Sequence, residues 1–201
     1  MNATAGQASP QRRPRVSQNE ATRRLVQATI ELLETEPIPN VTTRRIAERA
    51  GLRIMAITRS FGDQKGLFIE VVRELARRFA AQMGTTMRPE QMMAPEAVLR
   101  SKLVAWLLDN GVDPVELGPD PKRPVAAKLD ERQQAAGNVS PRTAAAMNAL
   151  ALLAVQGAHV FAPVHLLDDE ALKDLAILIA TVRNSLPEIE KRLGWDEPAA
   201  E

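Results

Sequence analysis

The chain contains no cysteine or tyrosine and only two histidines among its 201 residues. Without cysteine there are no disulfides and no metal or nucleophile chemistry that needs a thiolate. His159 and His165 stand six apart with Pro163 between them, so one helical face cannot present both to a metal. Each is read as a structural or interface histidine. No G-x-S-x-G, paired glycine-rich phosphate loop or zinc-ligand spacing occurs, which leaves no catalytic constellation and implies no cofactor. The N-terminus offers no apolar segment to serve as a signal peptide. None of the apolar stretches reads as a membrane span of about 18 to 20 residues. The expectation is a cytoplasmic, non-enzymatic protein with no membrane partner.

Excess charge is also missing: 26 basic side chains face 25 acidic ones, for a net of +1. The distribution is uneven. Residues 1–65 carry eleven Lys and Arg against six Asp and Glu, whereas residues 66–201 carry fifteen against nineteen. A basic front on a mildly acidic body suits a protein that touches phosphates with one end only. At 45% hydrophobic residues, the chain has ample material for a core.

Residues 42–61, TTRRIAERAGLRIMAITRSF, read as two short helices joined by a tight turn. Thr42 is a good N-cap because its hydroxyl can accept from a free backbone N–H, and Ile46, Ala47 and Ala50 follow at helical spacing. Gly51 stands where a helix ends on a left-handed residue, with Leu52 placed to pack back on the finished helix. In the second segment Ile57 and Phe61 share one face, while Arg53, Ile54, Thr58 and Arg59 occupy the other. Such a pair is either an ordinary helical hairpin or a helix-turn-helix, whose second helix enters the DNA major groove.

The surrounding residues 22–68 resemble the N-terminal domain of TetR-type transcriptional repressors. The likeness rests on RLVQATIELL over 24–33, IAERAG over 46–51, and Phe61-Gly62, all at family spacing without a gap. It implies an all-α fold: a three-helix helix-turn-helix DNA-binding domain over 19–65, then a helical effector-binding and dimerisation domain over 66–201. It also implies a homodimer that binds a pseudo-palindromic operator in double-stranded DNA, most simply as a repressor, and is released by a small-molecule effector. The expected DNA-binding residues are Thr42, Thr43, Arg44, Arg45, Arg53, Ile54, Thr58, Arg59 and Lys65. Of these, Arg44, Arg45 and Lys65 are assigned to phosphates, and Arg53, Thr58 and Arg59 to bases.

The recognition segment departs from the family pattern. Where relatives often have Ser and then Gly-Thr-Leu-Tyr, this chain has Arg53 and then Met55-Ala56-Ile57-Thr58. Arg53 cannot cap as Ser does, a difference of about 1 kcal/mol. Thr58 replaces a tyrosine that commonly touches a phosphate, and Gln64 stands in the place of a usual lysine, with Lys65 next. No operator sequence therefore follows from the resemblance. The departures keep a second reading open: a helical small-molecule-binding or protein-interaction module whose helix-turn-helix has drifted from DNA duty.

Residues 1–18, rich in Gln, Ser, Ala, Pro and Arg, have no hydrophobic period and are expected to be disordered. Arg12, Arg13 and Arg15 form either an arm that reaches DNA or a solvated tail. Residues 19–34 read as the first helix, broken by Pro37 and Pro39. Asp63 can cap a helix over 64–83 with the stripe Leu67, Val71, Val72, Leu75, Phe79 and Met83. The resemblance makes this helix the connector whose displacement changes the spacing of the recognition helices. A loop over 84–94 and a helix over 95–110 follow. Four prolines and two glycines then argue against an extended helix over 109–124. Further helices are expected over 125–136, from Ser140-Pro141 to 161, and over 171–186.

The last two long helices are apolar on more than one face, which suggests burial both within a subunit and against a partner. The expected dimer interface is Val155, Ala158, His159, Leu172, Leu175, Ile179 and Val182. For the effector, Phe79, Met83, Met87, Leu103, Trp106 and Met147 are candidate contacts, with Met92 and Met93 nearby. Methionines line adaptable cavities but equally fill ordinary cores. Few charged groups converge there, which favours an apolar effector.

Overall fold

The computed structural model describes residues 17–82, 93–118 and 139–195. Those residues form nine helices and one 3₁₀ turn, with no strand among them, and the chain is all-α. Helix α1 (Gln18–Leu33) opens on Ser17, whose hydroxyl accepts from the Glu20 N–H. Ser17 and Gln18 therefore belong to the helix rather than to the arm. Arg12, Arg13 and Arg15 lie outside the described residues. Leu25, Val26, Ile30, Leu32 and Leu33 are buried, and the buried Thr29 hydroxyl satisfies itself on the Leu25 carbonyl at 2.7 Å. A 3₁₀ turn at Ile38–Asn40 follows, preceded by Pro37 and containing Pro39, the two prolines that end helical continuation.

Helices α2 (Thr43–Ala50), α3 (Met55–Phe61) and α4 (Gln64–Gln82) complete the N-terminal half. The Asp63 carboxylate accepts from the Gly66 N–H at 2.8 Å, capping the start of α4. Leu25, Ile30, Val41, Ile46, Ile57, Leu67, Phe68 and Leu75 form the fully buried heart of one cluster. Burial of each such side chain is worth about 1.5–3 kcal/mol. Helix α5 (Pro95–Asp109) adds Leu103 and Leu107 to the same cluster, and the one-turn α6 (Pro114–Leu117) adds Leu117. The core thus runs unbroken from the helix-turn-helix into the body along α4. The point between residues 65 and 66 falls inside a helix, not between two cores.

A second, smaller cluster holds α7 (Pro141–Phe161), α8 (Asp169–Asn184) and α9 (Leu186–Leu193) together through Met147, Ala176, Ile179 and Leu186. Ser140 and Asp168 cap α7 and α8 through the Thr143 and Ala171 N–H groups. The final segment differs from the expected single helix over 171–186. α8 ends at Asn184, and Pro187 in the first turn of α9 starts a new helix, because its ring fits only there. The new helix is tied back to α7 twice. The Glu190 carboxylate accepts from the Ser140 N–H at 2.8 Å, and the Arg142 guanidinium lies 4.3 Å from the Trp195 ring centroid.

Two further expectations are corrected or lie outside the described residues. By length and composition α7 does meet the requirement for a membrane span, since its only charged side chain, Arg142, is at one end. Only 22% of its most apolar window is buried within the chain, so the helix carries an open apolar face. The short helix expected over 125–136, together with Met83, Met87 and Met92, lies outside the described residues.

Candidate nucleic-acid interface

The turn between α2 and α3 is built as the sequence anticipates. Thr42 accepts from the Arg45 N–H at 3.4 Å, and Gly51 adopts φ 66°, a left-handed conformation that costs glycine nothing. Its neighbour Leu52 donates to the Ala47 carbonyl at 2.9 Å and packs against the core. The missing cap on α3 is compensated by the backbone. Ile54 is already helical, and the Ala56 and Ile57 N–H groups bond the Arg53 and Ile54 carbonyls at 2.9 Å. A tight first turn therefore satisfies donors that a serine would have taken.

Ile57 is 1% exposed and locks α3 onto the core, with Ala56 and Phe61 packed partly beside it. The opposite face presents Arg53, Ile54, Met55, Thr58 and Arg59 to solvent. Met55, 73% exposed, was not among the residues expected from sequence. Its signal was a large apolar side chain at the first helical position of a segment whose inner face was already filled by Ile57 and Phe61. Side-chain ties bind α1 to this helix and the start of α4 to the segment before α2. Gln18 Nε2 donates to the Ser60 hydroxyl at 2.7 Å, and Gln64 Nε2 donates to the Val41 carbonyl at 2.6 Å.

The arginines divide into two groups. Arg44 pairs with Glu48 at 2.9 Å, which raises the guanidinium above its ordinary range, and Arg49 pairs with Glu31. Arg45 makes a two-pronged contact with Glu36, one arm at 2.6 Å. All three lie partly in water, where such pairs are weak enough to yield to a stronger anion. Arg53 and Arg59 have no ion-pair or hydrogen-bond partner among the described residues, and both are exposed. An open groove between α1 and α2 is flanked by Arg23, Arg24 and Arg49. The Lys65 ammonium donates to the Asn110 carbonyl at the end of α5, an exposed contact at the joint with the body.

Residues 25–71 match the family model described as bacterial regulatory proteins, tetR family. Over that stretch the chain is similar to the DNA-binding domain of that family. The match covers the second half of α1, both helices of the helix-turn-helix and the first part of α4. A solved structure of a TetR variant from Acinetobacter baumannii AYE in complex with minocycline is similar, with a TM-score of 0.51 and 17% identity. The likeness covers 84% of this chain and 95% of that one, and at this identity it is a likeness of fold. No curated protein matches the sequence.

Four of the expected effector contacts, Phe79, Leu103, Trp106 and Met147, fall among the described residues. Leu103 is fully buried in the larger cluster, and Trp106 packs edge-on against Phe68 with ring centroids 5.5 Å apart. Met147 belongs to the smaller cluster, and Phe79 is half-buried on α4. All seven expected dimer residues fall among the described residues. Ala158, His159 and Ile179 are buried within the chain, and Val155, Leu175 and Val182 pack on the inner cluster, with Leu172 half-buried. The large apolar residues exposed on these two helices are Leu150, Leu152, Leu153 and Phe161 on α7 and Ile177 and Leu178 on α8. Helical periodicity finds an apolar stripe, but on helices apolar all round it does not tell the inner stripe from the outer one.

Among the described residues no group of His, Asp and Glu is arranged to hold a metal ion.

Proposed function

We propose that the chain is a homodimeric, ligand-responsive transcriptional regulator, a repressor, that binds a pseudo-palindromic operator and is released by a small effector with apolar character. The observation that carries this reading is the outer face of α3, where two arginines with no partner among the described residues flank Ile54, Met55 and Thr58 on a helix fixed by its buried side. Arg53 and Arg59 read base edges, Ile54 and Met55 contact thymine methyls, and Arg44, Arg45, Thr42, Thr43 and Lys65 lie along the phosphates.

The outward apolar faces of α7 and α8 supply the dimer. Leu153 is 70% exposed and Leu178 is 59% exposed, and exposed apolar side chains grouped on one face are what an interface presents. Effector binding in the body favours a conformer with the wrong spacing of the two recognition helices. Selection from a random duplex pool tests the reading. Enrichment of a two-fold-symmetric motif supports it, and no enrichment by a folded dimer sinks it.

A further inference from the structure

Arg100 on α5 is mostly buried, its Nε makes no hydrogen bond, and no carboxylate among the described residues pairs with it. Burial with no compensating anion pushes its guanidinium below its ordinary range. Arg73 also has a buried, unbonded Nε, but its other nitrogens reach Glu70 and the Glu116 carbonyl. The remaining Lys and Arg side chains without partners among the described residues, Arg53, Arg59, Lys102, Lys173 and Lys191, are all exposed. Water solvates those; it does not reach the Arg100 Nε. A guanidinium offers five donors and no acceptor, and leaving a desolvated one unmatched is costly.

The surroundings restrict what can match it. Leu99 and Val104 on the same helix are apolar and partly buried, with Val104 one turn along from Arg100 on the same side. Ser101, the next residue, shares a 2.9 Å hydrogen bond with His159 on α7 and donates to the Ala97 carbonyl. That bond fixes α5 to α7 beside Arg100, while Leu103 and Leu107 fix α5 to the cluster that includes α4. Arg100 thus lies on the helix that joins the connector to the outer hairpin. Residues 66–201 are net negative, fifteen basic against nineteen acidic, so a single buried cation suits a monoanion better than a phosphate dianion.

We propose that Arg100 anchors the carboxylate of the effector, an organic monoacid with an apolar tail that lies along Leu99 and Val104. The proposal rests on the reading of the body as an effector-binding domain. A carboxylate matches the planar guanidinium with two parallel hydrogen bonds and replaces the water lost on burial.

The test uses the full chain, Arg100→Met and Arg100→Lys, with sodium octanoate and octan-1-ol as matched probes. Ligand-free Arg100→Met is expected to melt at or above the wild type, because an unmatched buried charge is gone. Octanoate should raise the wild-type Tm, and its affinity should fall about tenfold or more in Arg100→Met, with partial recovery in Arg100→Lys. Octan-1-ol should not distinguish the three proteins. A ligand-free Arg100→Met that melts well below wild type makes the arginine structural and overturns the proposal. So does octanoate binding alike to wild type and Arg100→Met, or not binding to wild type at all. Operator release is read separately: octanoate held through Arg100 without any loss of DNA keeps the site and rejects the effector-release reading instead.

Discussion

Gly66, in the first turn of α4, lies against the carbonyl of Phe61, the last residue of α3, so closely that a Cβ at residue 66 would overlap the Phe61 backbone. The recognition helix is therefore seated on the connector by a backbone contact that only glycine permits. Gly66→Ala should force the two helices apart and cost about 1–3 kcal/mol of stability. Thermal unfolding checks it; an unchanged Tm would show that the close seat does not exist.

Arg59 has no partner to lose among the described residues, so its removal separates recognition from folding. Arg59→Ala is expected to weaken specific operator binding by about 1–3 kcal/mol while folding stability stays within about 0.5 kcal/mol. Anisotropy titration beside a melting curve measures both, and unchanged affinity counts against base contact.

Ile54 and Met55 make a chemical prediction about the DNA. If they read methyl groups, replacing the relevant thymines of the selected operator by uracil should weaken wild-type binding several-fold, and Met55→Ala should remove most of that sensitivity. Equal affinity for thymine and uracil duplexes assigns both residues a merely steric place.

The outer hairpin face predicts its own disruption. Leu153→Glu and Leu178→Glu place charge on exposed positions, so the protomer should stay folded while sedimentation shifts from dimer to monomer. A dimer that survives both changes lies on another surface.

Glu190 supplies a pH dependence. Hydrogen bonding from Ser140, opposed by burial and assisted by Thr143, holds its carboxyl below the ordinary carboxylate range. A depressed folded pKa contributes stability above the unfolded pKa, and that contribution is lost as pH falls through the folded one. Glu190→Gln should thus melt lower than wild type near neutrality, with the gap closing under acid conditions. A gap independent of pH would assign the loss to packing.

Much of this architecture was legible because it depends on local chemistry. Thr42, Gly51, Asp63, Ser140 and Asp168 mark helix ends through caps and turns that operate within a few residues, and each does so in the structure. What sequence could not rank were choices made by long-range packing. Ala158, His159 and Ile179 face inward and Leu153 and Leu178 outward, although all five lie in apolar stretches. The contact of Lys65 with the end of α5 is likewise a long-range one, 45 residues apart in sequence. Met55 went unnoticed because an exposed methionine has no sequence signature apart from the filled inner face beside it. Arg100 drew no attention either, since a missing partner is visible only once the surrounding helices are in place.

The central claim is that α3 and its flanking cations engage a DNA duplex. Titration of the selected operator across about 50–200 mM salt tests it most directly. The account predicts that log affinity falls linearly and steeply with log salt, with a slope set by several displaced counterions. A flat profile, or no binding by a folded dimer at the lowest salt, would contradict it.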